Sequence, residues 1–288
     1  MKTSTAYFWI VVLVIGIGAV YFLSSTQRTN CSDFDHTTLV LIDQTDSIGE
    51  EAKLTAKEFV WETIEKAPDF SRVVFKEIVG NQVTSGAKRE DIELCREIQP
   101  TAVTDITAAP SLKKKWAAFK DKVCGTNRGS DGTASCGSPE RNRDGYLDWQ
   151  STPSDTSPIL EKVADAARQY LTAKPQSWDL VVISDWRQFT GNIDLHRQPC
   201  SSKNMPDYAT APVLGGQSSK IFSVSGSPSR QSTVQSLFVT RRGMNNDEAN
   251  CLRQFAQGFF LSELEGGLLP DNKTPKISPP MIKDLPQS

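Results

Sequence analysis

Apolar residues recur along this chain in two ways, as short unbroken runs and as stripes at helical spacing, and the switches between them mark out the elements. Thr38-Leu-Val-Leu-Ile42 is continuously apolar, as a strand buried on both faces of a parallel sheet requires. From Gly49 to Ala67, the residues Ala52, Ala56, Phe59, Val60, Ile64 and Ala67 fall on one helical face, and Pro68 ends the pattern. Arg72 to Val79 and Ile92 to Ile98 read as strands that a turn around 81–86 could fold into a hairpin. A helix over Leu112 to Val123 is expected next. The turn-forming run GTNRGSDGTASCGSPERNRDG then predicts a long surface insertion near 124–148. Pro158 to Leu171 carries another helical stripe, with Asp155 or Ser157 available as its cap. Asp179 to Ser184 is a second apolar strand, Ile221 to Val224 and Leu237 to Thr240 are shorter ones, and Asp247 to Leu264 is a closing helix.

Helices alternating with apolar strands predict the α/β class: an open, mainly parallel, doubly wound sheet with helices on both faces. In such sheets ligands sit beyond the carboxyl ends of the strands, where the strand order reverses. The domain is expected over 36–264. A polar linker precedes it at 24–35, and a flexible tail with five prolines follows at 265–288.

Ala6 to Leu23 are 18 consecutive uncharged, mainly apolar residues. As a helix they are about 27 Å long, enough to span a bilayer, so residues 1–23 read as a single transmembrane anchor. A cleaved signal peptide is the competing reading, although GAVYFLSSTQ offers a poor cleavage site. All six cysteines (Cys31, Cys95, Cys124, Cys136, Cys200 and Cys251) follow this segment. Their even number suits disulfides in an oxidising compartment, the bacterial periplasm foremost, with buried free thiols as the other possibility. Only Cys124 with Cys136 stands out as a pair. A net charge of −2, with 32 Lys and Arg scattered along the chain, argues against a nucleic-acid partner.

The chemistry concentrates after the first strand, where Asp43-Gln44-Thr45-Asp46-Ser47 brings one carboxylate and two hydroxyls onto a single turn. These are hard oxygen ligands of the kind Mg2+ or Mn2+ takes in an octahedral shell. The second apolar strand also ends in a carboxylate, Asp185, and Asp155-Thr156-Ser157-Pro158 opens the helix before it. Helix capping by Asp43 and Ser47, and a plain strand-end turn at Asp185, are the alternatives without a metal. Glu140, Asn142, Asp144, Gly145 and Asp148 are spaced like the first half of a calcium loop, but Ser151 stands where the bidentate Glu belongs, so a solvated turn is the favoured reading. His36 and His196, the two histidines, lie in no nucleophile context.

These residues resemble the von Willebrand factor A family over about residues 36 to 264, with its metal-ion-dependent adhesion site. Asp43, Thr45 and Ser47 match the family's Asp-x-Ser/Thr-x-Ser motif, and Asp185 matches its Thr-Asp-Gly loop. The family's Gly-Gly-Thr-Pro-Leu loop corresponds to Asp155-Thr156-Ser157-Pro158-Ile159, which puts Ser157 at the ligand position with Thr156 as the alternate, and Trp186 replaces the usual Gly. The resemblance implies a Rossmann-like fold and a non-enzymatic module of the cell envelope, whose Mg2+ or Mn2+ accepts an Asp or Glu from a partner protein. The alternatives are a structural scaffold of an envelope or secretion assembly without a working metal, and a metal-dependent hydrolase with Asp46 as base.

Overall fold

The computed structural model describes residues 35–45, 48–80, 91–96, 99, 110–127, 134–141, 143–148, 154, 156–171, 177–190, 193–195, 198–205, 232–241, 243–264 and 281–285. The anchor expected at 1–23, the linker up to residue 34 and the strand expected at Ile221 to Val224 lie outside them. Among the described residues, no helix is long and apolar enough to cross a membrane.

The fold is mixed α/β. Its strands are β1 (His36–Asp43), β2 (Arg72–Ile78), β3 (Ile92–Cys95), β4 (Ser177–Ser184), β5 (Thr233–Phe238) and β6 (Met281–Asp284), and its helices are α1 (Glu50–Lys66), α2 (Pro110–Cys124), α3 (Ile159–Tyr170) and α4 (Asn246–Leu264). The strands form one sheet in the order β3-β2-β1-β4-β5-β6. All neighbours pair in parallel except β2 and β3, which make the expected antiparallel hairpin. The order reverses between β1 and β4, the two central strands, which pair from His36 with Ser177 to Ile42 with Ile183.

Every residue of β1 and β4 is buried, because helices cover both faces. Leu39 and Leu41 point into a core shared with α3 and α4, whose Leu160, Val163, Phe255 and Phe259 are fully buried. Val40 and Ile42 point the other way, against Ala56, Val60 and Ile64 of α1 and Phe119 and Val123 of α2. Each such side chain contributes about 1.5–3 kcal/mol on leaving water. Gly49 and Ala67 flank α1 in extended conformation, and Pro68 explains the second, since the residue before proline is driven out of the helical region.

The structure departs from the sequence reading in several places. β3 ends at Cys95, three residues before the expected boundary, because the Arg96 side chain turns back to bond the Ile64 and Glu65 carbonyls at the end of α1 (2.8 Å each). β5 begins at Thr233, ahead of the expected Leu237. The tail expected to be flexible supplies β6, and Leu285 beyond it is buried. The insertion is packed rather than merely superficial. Cys136 and Leu147 join the core, Cys124 and Cys136 form a disulfide, and the Gly137 amide donates to Glu58 Oε2 at 2.7 Å. A Cβ on Gly137 would stand 2.5 Å from the Leu54 carbonyl oxygen, so glycine is what lets the insertion close on α1.

Cys200 and Cys251 form a second disulfide, and Cys95 is disulfide-bonded as well. This usage fits an oxidising, extracytoplasmic location.

Candidate functional site

The carboxyl ends of β1 and β4 carry a buried polar cluster. Asp43 is the last residue of β1, and its Oδ1 accepts from the Thr45 amide at 3.0 Å and from Thr45 Oγ1 at 2.6 Å. Its Oδ2 accepts from Ser184 Oγ at 2.8 Å, at the end of β4. Thr45 Oγ1 lies 3.1 Å from Ser157 Oγ, which joins the β1 loop to the loop before α3. Asp43, Thr45, Ser157 and Asp185 are each 4% exposed or less. Asp43 therefore organises the β1 and β4 loops and does not cap α1, whose first residue is preceded by Gly49 with no side-chain cap.

Ser157 does not cap α3 through its hydroxyl. The Leu160 amide is satisfied by Gln188 Oε1 at 3.0 Å, which frees the serine side chain to meet Thr45. Thr156, the alternate, passes against the end of β2, where a Cβ on Gly80 would stand 2.5 Å from the Thr156 carbonyl oxygen. Ser47, Asp46 and Asp155 lie outside the described residues. Of the sequence-derived set, Asp43, Thr45 and Ser157 are thus linked directly, and Asp185 adjoins them through its neighbour Ser184.

Asp185 Oδ1 accepts from the Arg187 amide at 3.0 Å, while Arg241, in the loop after β5, forms an ion pair through Nε with Oδ2. Arg187 in turn pairs with Glu248 of α4 at 2.7 Å. Burial and the nearby charge of Asp43 push the Asp185 carboxyl above the usual carboxylate range, against the pull of Arg187. Burial brings Arg241 down to about 10, opposed by the charges of Asp43 and Glu248. Three carboxylates (Asp43, Asp185, Glu248) thus face two guanidiniums (Arg187, Arg241) among the described residues, leaving one excess negative charge when all are ionised.

Trp186 occupies the position after Asp185 with φ of 61°, in the left-handed region that favours glycine. Its ring is fully buried against Phe259 and Phe260 of α4, and Nε1 donates to Ser236 Oγ at 2.8 Å. Packing thus holds a bulky residue where the backbone favours none.

Sequence reasoning missed Ser184, Arg187, Arg241 and Glu248, whose roles come from pairing across distant segments. It also missed a cluster at the opposite, amino-terminal edge of the sheet. There His36 Nδ1 lies 2.9 Å from Ser177 Oγ, and its Nε2 lies 3.2 Å from Asp179 Oδ2. Thr233 Oγ1 donates to Asp179 Oδ1 at 2.5 Å. All three of His36, Ser177 and Asp179 are buried, so the cluster ties β1, β4 and β5 together.

In the insertion, Asp144 accepts from the Thr126 amide and hydroxyl at 2.7 and 2.8 Å, and these bonds hold its carboxyl below the usual range. Asp148 accepts from Lys57 Nζ at 2.8 Å and from the Gly145 amide at 3.1 Å. The carboxylates of Asp144 and Asp148, two of the residues spaced like a calcium loop, are thus bonded to protein donors, and Asn142 lies outside the described residues.

The donor set at the β1 and β4 ends, two carboxylates with two hydroxyls, has the hard-oxygen chemistry that suits Mg2+ or Mn2+. Among the described residues no three His, Cys, Asp or Glu side chains group as a metal site. No family model matches the chain, and neither a curated protein nor a solved structure matches it.

Proposed function

We infer that the carboxyl edge of the sheet binds a divalent cation, Mg2+ or Mn2+, and through it a carboxylate of a partner protein, as in a von Willebrand factor A domain. The observation that carries this reading is the meeting of chain-distant oxygens at the switch point. Asp43, Thr45 and Ser157 are hydrogen-bonded together, and the charge of Asp43 acts on Asp185 in the same buried cluster. An ion held by few anionic ligands keeps coordination positions for water or an incoming carboxylate. Ser47, with Thr156 as alternate to Ser157, completes the donor set in this reading. The domain is then a non-enzymatic adhesion or assembly module, held at the envelope by the apolar segment at 6–23 and facing the periplasm.

Thermal melts of the full chain test the cation. A ligand bound only by the folded state raises stability by about 2.7 kcal/mol at a hundred times its Kd. Mg2+ or Mn2+ should raise the melting temperature of the wild type and not of Asp43→Ala, and EDTA should reverse the effect. Partner capture should fail in EDTA and in Asp43→Ala protein that remains folded. Capture that survives both would discard the adhesion reading.

One observation favours a second reading, a scaffold without a working metal: Arg241 already places a positive charge on Asp185. Melts indifferent to Mg2+, Mn2+ and EDTA would select it.

A further inference from the structure

We propose that Arg241 is an internal competitor for the cation of this buried cluster, one that occupies the Asp185 carboxylate in the ion-free protein and must leave it before a divalent ion can bind. The inference rests on the cation reading above and adds a residue that none of the sequence motifs contains.

The first support is the division of labour on Asp185. Oδ1 is committed to the Arg187 amide, so Oδ2 is the oxygen left for a cation, and Oδ2 is the one that Arg241 Nε contacts. A guanidinium and a divalent ion cannot share it, because like charges a few ångströms apart in a buried site repel strongly. Burial is the second support. The Asp185 side chain is 1% exposed and that of Arg241 16%, so little water intervenes to screen the two cations.

The third is that Arg241 has somewhere to go. Glu248, on the first turn of α4, pairs with Arg187, two residues after Asp185, so a second carboxylate stands at the loop that Arg241 contacts. The intervening turn is closed by the Met244 amide on the Arg241 carbonyl at 3.1 Å. It contains Gly243 at φ of 84°, with open space where a Cβ would point. Moving the guanidinium from Asp185 toward Glu248 exchanges one carboxylate for another, which it then shares with Arg187. The cost of that exchange is subtracted from the intrinsic affinity for the ion, as for any ligand that must displace an occupant.

The test is calorimetric titration of Mn2+ into the full chain, comparing wild type with Arg241→Met, which keeps the aliphatic bulk and removes the charge. Arg241→Lys, a point charge without the planar fork, serves as the second variant. The expected result is Mn2+ affinity about tenfold to a hundredfold higher in Arg241→Met, in the range of typical coupling between two sites, and lost again in Asp43→Ala/Arg241→Met. Arg241→Lys should fall between. Equal affinities in wild type and Arg241→Met overturn the competition while leaving the cation reading intact. No binding by either protein at millimolar Mn2+ overturns both. Failure of both variants to fold even in Mn2+ also overturns the proposal, because Arg241 would then be a structural partner that an ion cannot replace.

Discussion

Replacing Trp186 separates packing from backbone strain at the loop that carries Asp185. The indole is fully buried, packs edge-on against Phe260 at 5.2 Å and against Phe259 at 6.2 Å, and donates to the buried hydroxyl of Ser236. Truncation to Ala removes about 200 Å2 of buried aromatic surface, about 5 kcal/mol as an upper figure, and measured large-to-small changes in cores give about 3–5 kcal/mol. The orphaned Ser236 hydroxyl adds about 1 kcal/mol. Ala also keeps the Cβ penalty of the left-handed backbone, about 1–2 kcal/mol, which Gly does not. Trp186→Ala should therefore lose about 4–5 kcal/mol, and Trp186→Gly about 1 kcal/mol less, a reversal of the usual order in which Gly is the more destabilising. Urea unfolding of the oxidised full chain, followed by fluorescence and circular dichroism with the slope held fixed, measures both. A loss under about 2 kcal/mol for Ala, or Gly less stable than Ala, would refute the account.

Two further outcomes follow from a crosslink and a buried ion pair. The disulfide between Cys124 and Cys136, separated by 12 residues, should be worth about 3 kcal/mol, read as the denaturation-midpoint shift of the Cys124→Ala/Cys136→Ala double variant. Lys57→Met strands the Asp148 carboxylate, whose side chain is 15% exposed, and should cost about 2 kcal/mol; a loss under 0.5 kcal/mol by the same assay would show that the pair is dispensable.

How legible each element was in the sequence depends on whether its cause is local. β1 and β4 stand out because burial on both faces demands an unbroken apolar run, and the position of Asp43 and Asp185 at the ends of those runs places both at one sheet edge. The stripe of α3 is equally clear, since all of Ile159, Leu160, Val163, Ala164 and Ala167 face the core. β6 is hidden, because an edge strand of four residues, MIKD, in a proline-rich tail has neither length nor periodicity and is fixed by its register on β5. Lys57 lies among core-facing residues of α1 and looks like a solvated position until Asp148, 91 residues on, supplies its partner. Asp43 and Thr45 were accessible from spacing, and Ser157 from the resemblance to the von Willebrand factor A loop, with Thr156 as its alternate. Arg241 and Glu248 were not, because an ion pair between separate loops leaves no pattern in either segment.

The Cys200–Cys251 bond has a mechanical consequence. Cys251 sits in the second turn of α4, and the segment around Cys200 follows Leu195, whose amide bonds the Gln188 carbonyl just past Asp185. Together with the ion pair from Arg187 to Glu248, this makes the Asp185 loop and the start of α4 a single lever arm, welded at one end and clamped electrostatically at the other. A reducing agent removes the covalent link and leaves the ion pair as the remaining tie between that loop and the helix.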